Sequence, residues 1–191
     1  MGPARGTVFV VTGPSGVGKG TLIAMLRERI PDLAVSVSAT TRRPREGEED
    51  GRDYFFLSEE EFVRKVDRGE FLEHARYSGN LYGTLREEVE AKAERGSGVI
   101  LEIELQGARQ VRASMPDAVQ VFVAPPEFET LRARLESRGT DDPAAIAARL
   151  EVAASELEAR DEFEHQVVND ELELAADQLE AVVRQELSES R

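Results

Sequence analysis

Gly13-Pro14-Ser15-Gly16-Val17-Gly18-Lys19-Gly20 is a glycine-rich run with a single lysine near its end. That spacing lets successive backbone N–H groups converge on an anion without interference from Cβ atoms. Lys19 can reach the β- and γ-phosphates of a nucleotide, and a helix opening here adds the positive end of its dipole. With glycine at about 7% of residues, the bare pattern arises by chance in about one chain in twenty of this length, so its context decides. Val8, Phe9, Val10 and Val11 precede it as a buried-strand run, and Leu22, Ile23, Met25, Leu26 and Ile30 follow at helical spacing. The reading is a phosphate-cradling loop between a strand and a helix rather than a mere turn. Gly20 occupies the place where a hydroxyl normally meets Mg²⁺, and the nearest hydroxyl is Thr21. Either Thr21 serves instead, or the metal is held mainly by phosphates and water, since Mg²⁺ keeps several waters.

The net charge of −14 over 191 residues argues against nucleic acid as a partner, because such binding draws on a basic surface. A small anion needs only a local gathering of cations. Three groups qualify: Lys19; Arg42, Arg43 and Arg45; and Arg132, Arg134, Arg138 and Arg149. Each alone reads equally well as solvated surface. The absence of cysteine excludes disulfides, iron–sulfur clusters and thiol nucleophiles, and two histidines make a zinc site a poor expectation. No window approaches eighteen apolar residues and the first residues show no signal-peptide pattern, so a cytoplasmic protein without a membrane partner is expected.

The elements that must position these residues follow from periodicity. After the first helix, Ala34 to Ser38 reads as a strand and Ala39 to Gly51 as a charged surface stretch. Tyr54 to Leu57 and Leu72 to Tyr77 read as strands around a helix from Ser58 to Arg68, opened by a capping box at Ser58-Glu59-Glu60-Glu61. Alternation then resumes: helix Leu85 to Arg95, strand Val99 to Leu105, helix Ala108 to Met115, strand Val119 to Val123, helix Glu127 to Ser137. Such alternation marks a parallel sheet. Gly139 to Pro143 separates that helix from one spanning Ala144 to about Arg160, and the pair is a lid candidate. Gln166 to Val168 is a last strand, and Leu172, Ala175, Leu179, Val182 and Val183 stripe a closing helix.

Thr40-Thr41-Arg42-Arg43-Pro44-Arg45-Glu46-Gly47-Glu48, with Gly51, Tyr54 and Phe56, closely resembles the signature of guanylate kinases. So do Tyr82-Gly83-Thr84, Leu101 to Gly107, Ala124-Pro125-Pro126, Arg138-Gly139-Thr140 and Val168-Asn169-Asp170, in order, between residues 6 and 187. The resemblance implies an α/β P-loop kinase fold: a central, mostly parallel sheet flanked by helices, with a small α+β insertion and a helical lid. It implies one domain over 6–187, with a core of 6–38 and 85–187, a GMP-binding insertion over about 39–84 and a lid over about 126–160. The implied activity is transfer of the γ-phosphoryl group of ATP to GMP with Mg²⁺, by a monomer or homo-oligomer.

Transfer to a monophosphate needs a second dianion site near the first. Guanidinium forks and phenol hydroxyls suit it, and the resemblance gives that role to Arg42, Arg45, Tyr54 and Tyr82, with Ser38 nearby. Guanine offers two adjacent N–H donors and an O6 acceptor, which suit a carboxylate and a hydroxyl. The resemblance supplies Glu73 and Thr84 for the base and sets Glu104 near it, in place of the family's usual Asp. Arg134 and Arg138 share a helix face four residues apart, and Arg149 lies on the helix beyond, so closure can carry all three toward the phosphates. Asn169 resembles a contact to the adenine end of ATP, and a turn-capping role reads equally simply. Lys19 and the three arginines are the expected catalytic cations. Gly13 through Thr21 are the expected ATP loop.

Two other readings share the motif. A kinase for another small molecule, such as a ribose phosphate, has no use for Glu73 and Thr84 together. A guanylate-kinase-like module that binds phosphopeptides has no use for an intact ATP loop.

Overall fold

The computed structural model describes residues 6–77, 79–95, 98–137 and 143–189. Its centre is a five-stranded sheet in the order β2-β7-β1-β8-β9, built from β1 (Thr7–Thr12), β2 (Leu33–Val35), β7 (Gly98–Glu102), β8 (Val119–Ala124) and β9 (His165–Val168). Every pairing in it is parallel. Parallel strands need crossovers, and helices covering both faces leave the strands apolar throughout. Along β1, Phe9 and Val11 face one core with Leu22, Leu26, Leu131 and Leu179, while Val8 and Val10 face the other with Val89, Val111, Phe122 and Phe163. The first core is closed by α1 (Lys19–Arg29), α5 (Phe128–Ser137), α6 (Pro143–Glu158) and α7 (Leu172–Glu189), the second by α3 (Arg86–Arg95) and α4 (Leu105–Ser114).

A second sheet of four strands, β4-β3-β6-β5, stands apart from the first. It comprises β3 (Ala39–Thr40), β4 (Phe55–Phe56), β5 (Phe71–Tyr77) and β6 (Asn80–Leu85). β6 runs antiparallel to both β3 and β5, and β3 pairs in parallel with β4. Helix α2 (Glu59–Asp67) covers it through Phe62, which stacks on Phe71 at 4.3 Å between ring centroids.

Three expectations are corrected. The strand expected over Ala34 to Ser38 ends at Val35, because after Ser36 N–H bonds the Ile100 carbonyl, Val37 N–H is taken by the Glu88 carboxylate. The next strand, β3, begins at Ala39, where Ala39 and Thr40 are buried at the head of the stretch read as charged surface. The strand Val99 to Leu105 stops at Glu102, and α4 starts at Leu105 rather than Ala108. Apolar Ile103 and Leu105 alternate as a strand would, yet both are buried in the core cluster that α4 closes. β6 had no reading as a strand, since Tyr82, Gly83 and Thr84 lack the β-branched density that marks one. Among the described residues no helix is long and apolar enough to cross a membrane.

Candidate active site

A cleft of about 670 Å³ lies between the two sheets. The glycine-rich loop forms one wall. Gly13, at φ 141°, passes so close to β8 that a Cβ there would stand 2.1 Å from the Val123 carbonyl oxygen. Gly18, in the left-handed region at φ 100°, is the N-cap of α1 and supplies no side-chain cap. The first turn of α1 contains no acidic residue, so its unsatisfied N–H groups and dipole are left for an anion. Lys19 is buried, and its ammonium donates to the carbonyls of Gly13 at 2.6 Å and Pro14 at 3.3 Å, folded back on the loop that it closes. Ser15, Gly16, Gly20 and Thr21 also line the cleft.

The loop is braced from the far end of the chain. Asn169, buried just after β9, donates from its amide to the Val17 carbonyl at 2.7 Å. Its own carbonyl accepts from the Arg134 guanidinium at 2.9 Å, which also reaches Val17 O at 3.4 Å. The amide lies so close that a Cβ on Gly18 would meet it at 2.5 Å. These bonds tie Asn169 to the glycine-rich loop.

The opposite wall belongs to the small sheet. Glu73 on β5 and Thr84 on β6 are paired in register and buried, and the Thr84 hydroxyl donates to the Glu73 carboxylate at 2.6 Å. Burial pushes the Glu73 carboxyl upward, against the opposing pull of the Thr84 bond. Ser38, Tyr54 and Tyr82 line the same space, the two rings edge to face at 6.2 Å. Arg42 stands behind Tyr54, its guanidinium 5.3 Å from the ring centroid and forked onto Glu48 at 2.9 and 3.0 Å. That fork holds Arg42 above its ordinary value and Glu48 below its own. Arg45 is exposed, with its backbone N–H on the same Glu48 at 2.7 Å. Neither arginine is among the described residues that line the cleft.

Glu102 and Glu104 line the floor, and of the two only Glu104 carried an expectation, a place near the base. Glu102 ends β7 and Glu104 is the N-cap of α4. Glu156, on α6 and buried, meets the Glu104 carboxylate and the Leu105 backbone N–H. Burial, and then the Glu104 charge, push Glu156 up to about 7, while the charge of Lys19 pulls it down. Glu102 is likewise raised by burial and drawn down by Lys19. The one signal that could have found Glu156 is its place three residues after buried Ala153, on the inward side of α6. Glu48 lay within the quoted motif without a role.

Arg134 is thus brought to the loop, and Arg149 is half-buried on α6 but is not among the described residues of the cleft wall. Arg138 lies outside the described residues. Arg132 pairs with Glu129 at 3.5 Å on the surface of α5. Among the described residues no group of three His, Cys, Asp or Glu side chains is disposed to hold a metal.

One cleft therefore joins an anion cradle with a lysine to a buried carboxylate, itself bonded to a threonine hydroxyl, that suits a purine edge. The profile of the guanylate kinase family matches residues 5–186. The chain is 57% identical over 153 residues to a guanylate kinase of Rubrobacter xylanophilus, spanning 80% of each. It is also 57% identical over 148 residues to one of a Synechococcus species, spanning 78% of each. A guanylate kinase crystal structure from Anaplasma phagocytophilum superposes with a TM-score of 0.73 at 33% identity, covering 96% of this chain and 87% of that one. With relatives of this identity over most of both chains and a profile that spans both sheets, this chain belongs to the guanylate kinase family.

Proposed function

We infer that this chain catalyses transfer of the γ-phosphoryl group of ATP to GMP, giving ADP and GDP. The observation that carries the reading is Glu73, which lines the cleft together with Lys19 and is bonded to the hydroxyl of buried Thr84. Guanine presents N1–H and N2–H to one carboxylate and O6 to one hydroxyl, whose proton turns to O6 from the Glu73 carboxylate that it serves at rest. A site built on such a pair rejects a base that leaves its own polar groups unpaired, at a cost of about 1–3 kcal/mol per group.

The loop from Gly13 to Thr21 is the ATP site in this reading, and residues of the span 39–84 are the GMP site. A GMP phosphate oxygen attacks the γ-phosphorus, the bond to the β–γ bridging oxygen breaks, and its electron pair stays with ADP. The attacking oxygen is already anionic, so no general base is needed, and His74 and His165 are outside the chemistry. Positioning and electrostatics do the work. Lys19 leaves the loop carbonyls for the β- and γ-phosphates. Arg42 and Arg45, with Tyr54, Tyr82 and Ser38, take the GMP phosphate, Glu48 serving as the resting partner from which Arg42 turns. Arg134, Arg138 and Arg149 bring charge to the transferring group when the span 126–160 closes. Asn169 acts through the loop it braces. Glu104 stands beside the guanine.

Mg²⁺ fits this site. Thr21 is exposed in the first turn of α1 and lines the cleft, so its hydroxyl and the nucleotide phosphates would hold the ion. Bound there, it would neutralise part of the triphosphate charge. A cytoplasmic reaction is part of the same reading; among the described residues no helix is long and apolar enough to cross a membrane.

The test is a screen of GMP, AMP, UMP and a ribose bisphosphate as acceptors with MgATP. GMP is expected to exceed the others in kcat/KM by at least about a hundredfold, the scale set by unpaired buried polar groups. A ribose bisphosphate outcompeting GMP would establish the other small-molecule kinase instead. GMP binding by calorimetry without any MgATP binding would favour a non-catalytic module.

A further inference from the structure

Glu73 lies on β5, an edge strand of the small sheet. The β5–β6 pairing is irregular between Phe71 and Glu73, so a regular ladder does not by itself fix where that carboxylate points. The outer side of the strand is occupied instead by α4, a helix of the other sheet's core. Gln110 donates from its amide to the His74 carbonyl at 2.9 Å and accepts from the His74 N–H at 3.0 Å. A side-chain amide thus makes the paired bonds that a neighbouring strand would make. The Ser114 hydroxyl bonds the Leu72 carbonyl at 3.2 Å. Between these two anchors the carboxylate of Glu73 rests against Gly107, where a Cβ would stand 2.7 Å from Oε2 and 3.1 Å from Cδ. Positions 107, 110 and 114 fall on one face of the helix.

We propose that Gln110 and Gly107 are specificity-positioning residues. Gln110 fixes the backbone beside Glu73, Gly107 leaves room for its carboxylate to lie flat against α4, and together they set the depth and direction in which the carboxylate meets the purine edge. The inference rests on the guanine-reading role of Glu73. A helix that merely docked the two sheets would need neither the double bond to the residue beside Glu73 nor a glycine beneath it.

The experiment compares GMP with inosine monophosphate, which differs by the 2-amino group that Glu73 would hold. Steady-state kinetics with saturating MgATP are run on the wild type, Gln110→Met and Gly107→Ala, each also in a Glu73→Gln background, with melting temperatures alongside. The preference for GMP over inosine monophosphate is expected to fall by about ten- to a hundredfold in each single variant, through a raised KM for GMP at an unchanged KM for ATP, the scale expected of a reacting or binding group displaced by about 1 Å. In the Glu73→Gln background the same changes should move the preference no further. Should Gln110→Met fail to fold, Gly107→Ala decides, since it removes no hydrogen bond. Folded variants that keep the wild-type preference, or that lose activity equally toward both acceptors, overturn the positioning role while leaving the GMP reading intact. A wild-type enzyme indifferent to the 2-amino group overturns the reading of Glu73 and this inference with it.

Discussion

Glu156 is a carboxyl placed against a carboxylate. Its pKa is about 7 against an ordinary 4.5, because burial and Glu104 both disfavour its charge. The sign of the pH dependence follows. Below 4.5 the folded and unfolded chains both carry the proton, and between 4.5 and about 7 only the folded chain does, so stability falls as pH rises through that window and levels above it. Glu156→Gln, which keeps the shape without the charge, should therefore melt higher than the wild type above pH 7. The gap should close as pH drops toward 4.5, as read by thermal melts across that range. A gap independent of pH would mean that Glu156 is not held protonated. None of this was legible from residue type, because Glu156 is one of 38 acids and its distinction comes from the Glu104 that folding brings beside it. Lys19 could be named in advance because it sits in a run whose neighbours state its chemistry, whereas Glu73 came only from the family resemblance. Arg42 was legible as a cation, but its fork with Glu48 was not.

At the level of elements, legibility tracked how local the determining interaction is. The box at Ser58 is written within four residues, and it forms: Ser58 Oγ accepts from Glu61 N–H at 3.2 Å and Ser58 N–H donates to the Glu61 carboxylate at 2.9 Å. Ser58→Ala should cost about 1 kcal/mol, seen as a lower denaturation midpoint at unchanged slope. A midpoint within error of the wild type would show that packing of Phe62 alone holds α2. The strand, loop and helix around Gly13 were equally local, and β1 and α1 run as their apolar spacing requires. The division between β2 and β3 was not legible, because it depends on Ile100 and Glu88, more than fifty residues away. The early start of α4 depends on burial of Leu105 in a core assembled from both halves of the chain.

Across the whole molecule, the two sheets meet chiefly around the cleft and through the contact of α4 with β5. Ligands that occupy both walls should therefore act on each other. GMP or a non-hydrolysable ATP analogue at about a hundred times its dissociation constant should each stabilise the fold by about 2.7 kcal/mol. The two together should raise the melting temperature by more than the sum of the separate shifts. Strictly additive shifts would mean that the sheets respond independently.

The phosphate loop is bound to both ends of the fold in another sense. Arg29, the last residue of α1, pairs with Glu173, Asp177 and Glu180 of α7 at 2.7, 2.6 and 3.1 Å, and Asn169 grips Val17 from just before that helix. The partners are about 150 positions apart along the chain. On the ribosome, the segment that will cradle a triphosphate emerges early and must wait, unsupported, for almost the entire remaining chain to be translated. An incomplete nascent chain thus has no braced loop with which to sequester cellular nucleotide.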